Sequence, residues 1–150
     1  MLSRRAFLGP LIAAPLAFAP LMARAGSRET YNTGGIAING YDPVAYFKQD
    51  APVQGSAKHA LMWMGATWYF ANAANMAAFE ADPRAYAPQY GGYCAYAAAQ
   101  GQMAPTVPEA FTIHGGKLYL NYSTDVRGLW QQDIAGNVAK ADAHWPQIDR

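Results

Sequence analysis

One cysteine and three histidines are the residues in this 150-residue chain best suited to soft metal or nucleophilic chemistry. Cys94 follows Gly91-Gly92-Tyr93 and precedes the alanine-rich stretch Ala95 to Ala99, which Gly101 closes. This pattern predicts a thiol in the opening turn of a short helix, where free N–H groups and the positive helix end stabilise thiolate. A thiolate there suits a soft metal, a thiol adduct or redox work. The competing expectation is a small buried residue between Tyr93 and Tyr96, with an apolar environment that silences the sulfur. Joined to the thiolate, His59 or His114 would suit a copper, zinc or iron ion. The sequence contains no His-x-x-x-His or Cys-x-x-Cys pair, so no metal geometry is legible in the spacing. His144, near the C-terminus, reads as a surface residue. Of the ten tyrosines, Tyr46, Tyr90 and Tyr93 are candidates to line a ligand pocket or to coordinate a hard ion, with core packing as the alternative. Asp42, directly before Pro43, reads as a helix cap.

Several classes are excluded by what is missing. Beyond residue 25 the serines are Ser27, Ser56 and Ser123, none in a Gly-x-Ser-x-Gly elbow, so serine hydrolysis has no basis. Neither a phosphate loop nor a dinucleotide fingerprint occurs. A net charge of +1 with only 14 % charged residues excludes a basic groove for nucleic acid. Three readings remain: a binding module holding a metal ion or small ligand near Cys94, a thiol-dependent redox enzyme or sensor using Cys94, and a scaffold with an aromatic contact surface.

The elements that must position these residues are short. Asp42-Pro43 predicts a helix over Val44 to Phe47. Ala60 to Met64 and Thr67 to Phe70, either side of Gly65-Ala66, predict a hairpin. Asn72 caps a predicted helix over Ala73 to Ala81, with a further turn from Asp82-Pro83 through Tyr86. Gly115-Gly116 between Ala110 to His114 and Lys117 to Asn121 predicts a second, tight hairpin. Ser123 caps a predicted helix to Asp133 with Val126, Leu129 and Trp130 on one face, and a last helix runs to His144 with Pro146 as its stop. Two hairpins with four or five short helices make one small α+β domain.

The N-terminus has a different character. Ser3-Arg4-Arg5-Ala6-Phe7-Leu8, an uncharged stretch to Ala23, and Ala23-Arg24-Ala25 are expected to form a cleaved twin-arginine signal peptide over residues 1–25. Pro10, Pro15 and Pro20 argue against a retained membrane helix, so no stable membrane anchor is expected after cleavage. The expected partners are the twin-arginine export machinery and signal peptidase, and the expected location is a bacterial periplasm. Loss of Arg4, Arg5 and Arg24 leaves eight basic against ten acidic residues, a net charge of −2. Residues 26–37 read as a flexible polar leader and residues 38–146 as the domain.

The string Gly40-Tyr41-Asp42-Pro43-Val44-Ala45-Tyr46-Phe47, then Gly65-Ala66-Thr67, Phe70, Phe79, Asp82-Pro83, Tyr86 and Tyr90-Gly91-Gly92-Tyr93-Cys94-Ala95, resembles the YHS domain family. The stretch Gly116 to Tyr122, with Trp130 and Trp145-Pro146, resembles its longer exported branch. The resemblance implies an exported YHS-domain binding module. In the family's short metal-handling modules, cysteines stand at the places that Ala45, Ala71 and Asn75 take here, and none of these supplies a thiolate. Exported relatives carry a histidine where this chain has Leu61, and strand alternation would put His59 on the same face.

Overall fold

The computed structural model describes residues 30–148. The expected signal peptide over residues 1–25, and the first four residues of the expected leader, lie outside the described residues. The chain forms one α+β domain with six strands and six α-helices among the described residues.

The expected leader is corrected from Thr30 onward. Thr30 is buried, and its hydroxyl donates to the carbonyl of Met64 at 2.8 Å. Asn32–Thr33 (β1) and Ile36–Ala37 (β2) form a small antiparallel pair, and β2 joins the main sheet by parallel pairing of Ile36 with Thr67. A two-residue strand carries no periodicity, which is why the polar pair Asn32–Thr33 concealed β1. A 3-10 turn over Ile38–Gly40 leads to α1 (Pro43–Gln49).

The first hairpin pairs β3 (Ser56–Trp63) with β4 (Ala66–Phe70), giving the sheet order β1-β2-β4-β3. Its register is irregular between Ser56 and Ala60. On β4 the alternation is clean, with Ala66, Trp68 and Phe70 buried. Asn72 caps α2 (Ala73–Ala81) by accepting from Asn75 N at 2.8 Å, and α3 (Pro83–Tyr86) follows. After a 3-10 segment over Gln89–Gly92 comes α4 (Ala95–Ala99).

The second hairpin, β5 (Phe111–His114) and β6 (Lys117–Leu120), turns through Gly115-Gly116, both at positive φ. Ser123 caps α5 (Thr124–Gln131), whose Trp130 is buried; Leu129, expected on the same face, is exposed. The last helix, α6 (Ile134–Ile148), continues through Pro146 instead of stopping there. A proline so near the end removes one intrahelical bond, and the turn before it is held by Trp145 packing on Tyr90 and Tyr93.

Two cores result. Tyr46, Trp68, Phe70, Phe79, Leu118 and Leu120 dominate the first, under the four-stranded sheet. Tyr90, Tyr119 and Trp130, with Ala95, Ala98, Ala99 and Ala141, make the second, where α4 packs closely on α6 through small side chains. β6 serves both by strand alternation: Leu118 and Leu120 enter the first core and Tyr119 the second.

Candidate functional site

Cys94 stands at the N-cap of α4, as the sequence predicts, and is 1 % exposed. Its Sγ accepts from Ala97 N at 3.5 Å and from Tyr122 N at 3.3 Å. It also donates to Asn121 Oδ1, 3.5 Å away, and that same oxygen accepts from Tyr96 N at 3.0 Å. The thiol therefore ties the head of α4 to the end of β6. A sulfur capping a helix and locked between backbone N–H groups is a structural part of the fold, out of reach of solvent.

The histidines do not gather around it. Among the described residues no three His, Cys, Asp or Glu side chains lie together as a metal-ligand group, so the set Cys94, His59 and His114 is not assembled. His59 is half-buried on β3; His114 is exposed beside the glycine turn, and His144 is exposed on α6. Residues arranged this way do not fit a copper, zinc or iron centre at Cys94, because an ion held by one thiol lacks the three or four ligands such sites use.

Ala45, Ala71 and Asn75 converge around Asp42. Asp42 is fully buried. Its Oδ1 accepts from Val44 N at 2.8 Å and Ala45 N at 3.3 Å, capping α1. Its Oδ2 accepts from Ala71 N at 2.8 Å and Asn75 Nδ2 at 2.7 Å, joining α1 to the start of α2. Lys48 Nζ donates to Asn75 Oδ1 at 3.3 Å. Ala45, Ala71 and Asn75 thus surround a carboxylate whose two oxygens are taken by four donors. It is a closed polar staple that supplies no thiolate.

Of the three candidate tyrosines, Tyr90 lines the main cleft. Tyr46 is core: its hydroxyl donates to Pro108 O at 3.1 Å, its ring lies 4.9 Å from Phe111, and burial raises its pKa well above the ordinary value. Tyr93 packs between Tyr31 and Trp145, with centroids at 5.5 and 6.0 Å. The Tyr90 hydroxyl donates to Asp142 Oδ1 at 3.0 Å, and burial, reinforced by that bond, pushes its pKa up.

Tyr90 belongs to a cleft of about 460 Å³ whose walls include Trp63, Trp68, Arg84, Asp142 and Trp145. Small-molecule sites commonly enclose about 300–1,000 Å³ between apolar walls with a few convergent polar groups, and this cleft has that character. The first wall comes from the β3–β4 hairpin. Trp68 Nε1 donates to the carbonyl of Trp63 at 2.9 Å, and Phe79 meets Trp63 edge-on at 5.5 Å. Over the Trp63 ring sits the Arg84 guanidinium of α3, 5.7 Å from its centroid. The opposite wall comes from the 3-10 segment and α6, where Asp142 and Trp145 are one helical turn apart and Trp145 meets Tyr90 at 5.9 Å.

Among the described residues, two of the five non-glycine residues at positive φ lie at the same place. Met64 (φ 48°) and Tyr90 (φ 57°) both line the cleft in the left-handed region that side-chain-bearing residues avoid. Gly91 and Gly92 continue that bend, and at Gly92 a Cβ would stand 2.6 Å from Ile38 Cγ2. Such strain persists only where surrounding contacts impose it, and it gathers at binding sites.

Sequence reasoning found Tyr90 and missed Trp63, Arg84, Asp142 and Trp145 as site residues. The usable signals were the tryptophans flanking the Met64-Gly65 turn and the Asp142/Trp145 spacing on one helix face. No family model, no curated protein and no solved structure matches the chain.

Proposed function

We propose that this protein is an exported binding module of YHS type that holds a small organic ligand in the tryptophan-lined cleft. The binding reading is kept and its location moves from Cys94 to the cleft. The observation that carries it is the meeting of Trp63, Trp68, Tyr90 and Trp145 with Arg84 and Asp142 across about 460 Å³, beside two strained turns. Convergence of Ala45, Ala71 and Asn75 on Asp42 supports the YHS-type arrangement, with a carboxylate–amide staple in place of thiolates. The twin-arginine motif Arg4-Arg5 supports periplasmic delivery by the export machinery and signal peptidase. No helix among the described residues is long and apolar enough to cross a membrane.

The test is a small-metabolite screen of the purified protein by thermal shift and intrinsic tryptophan fluorescence. A ligand that raises the melting temperature and alters the emission, with both effects lost in Trp145→Ala of unchanged circular dichroism, is the expected result. Stoichiometric copper, zinc or iron in the same preparation, lost on Cys94→Ser, would overturn it and return the ligand to the thiol.

A further inference from the structure

We infer that the cleft selects a small zwitterion, with an anionic group on Arg84, a cationic amine on Asp142 and an apolar body between the tryptophans; this rests on the cleft being the ligand site. The two side chains bring opposite charge to one pocket without neutralising each other. Among the described residues the Arg84 guanidinium makes no hydrogen bond or ion pair, and it stacks on Trp63. Among the described residues Asp142 accepts one hydrogen bond, from Tyr90 through Oδ1, and none through Oδ2.

Arg84 and Asp142, both exposed in the free protein, lose part of their water to a ligand seated between them. Each uncompensated charge then costs free energy, and a ligand with a single charge leaves one of the two unpaired. A zwitterion answers both. Arg84 is already oriented by stacking, and its planar fork suits a carboxylate or phosphate through paired N–H bonds. Next to Asp142 the Tyr90 and Trp145 rings add an aromatic environment that attracts an ammonium group.

The experiment titrates the full-length mature protein with ω-amino acids of increasing length, from glycine to 8-aminooctanoate, by isothermal calorimetry. Their N-acetyl and carboxamide derivatives serve as single-charge controls. Affinity is expected to peak at one chain length, and blocking either charge to weaken that binding about tenfold or more. Arg84→Gln should abolish the preference for the free carboxylate over the amide. Asp142→Asn, which leaves Tyr90 an acceptor, should abolish the preference for the free amine over the acetamide. If no chain length binds more tightly than about 1 mM, or if the blocked compounds bind as well as the parent, the zwitterion inference fails. A hit from the metabolite screen that still depends on Trp145 would then leave the binding module standing, and the lack of any such hit would remove both.

Discussion

The two cores of this domain are built on different principles. Under the sheet, large rings interlock: Phe79 lies 5.2 Å from both Trp68 and Phe70 and 5.5 Å from Trp63. The polar group buried there, Asp42, is saturated by four donors. The core between α4 and α6 relies on alanines for close helix approach and leaves polar atoms unanswered. Asn121 Nδ2 beside Cys94 and Trp130 Nε1 are buried with no hydrogen-bond partner among the described residues. Saturated polar groups and interlocked rings make a rigid scaffold, while orphaned ones mark a region that tolerates a less favourable arrangement. The cleft opens along the seam, with its hairpin wall on the first core and its Tyr90–Trp145 wall on the second.

The largest expected effect comes from the first core. Phe79→Ala removes a fully buried ring touching three others and should cost about 3–5 kcal/mol, read as a shift of the urea midpoint. A loss below about 1.5 kcal/mol would show that this core is no more interlocked than its neighbour.

Beside the second core, Cys94→Ala should cost about 1–3 kcal/mol, because it removes a helix cap and the acceptor of Tyr122 N. The same burial makes a direct claim about reactivity. Ellman's reagent should titrate the native thiol only as fast as the protein unfolds, and fully in denaturant. Rapid native labelling would reopen the thiol-dependent reading.

The smallest effect concerns the seam. Tyr90 has its pKa raised by burial and by the bond to Asp142, so its hydroxyl stays protonated when unfolded tyrosine ionises near pH 10. Its contribution to stability is therefore complete below about pH 10 and is lost as the pH rises beyond it. Urea midpoints measured from pH 8 to pH 11 should fall for the wild type above about pH 10, and less steeply for Tyr90→Phe. Equal slopes would place the alkaline loss on Tyr46 and Tyr119, which burial shifts in the same direction.

Much of the fold was legible because its signals are local. Asp42, Asn72 and Ser123 cap their helices as predicted, since a side chain reaching backbone two or three residues away depends on nothing distant. Gly115-Gly116 closes its hairpin for the same reason. Pro146 misled because a local stop signal was outweighed by the packing of Trp145. β1 was illegible because Asn32–Thr33 is too short and polar to carry a period, and the pairing of β2 with β4 is a tertiary event.

By itself the sequence determined the helix caps, both hairpins, the α+β class and the placement of Cys94 at a helix head. Tertiary structure alone decided what those pieces do together. Asp42 reaches across to Ala71 and Asn75, the sulfur is enclosed by Tyr122 and Asn121, and Trp63, Arg84, Tyr90 and Trp145 meet across about 80 residues of chain in one cleft. Caps and turns are settled by neighbours in sequence, whereas a cleft is settled by which faces of distant elements the two cores leave uncovered.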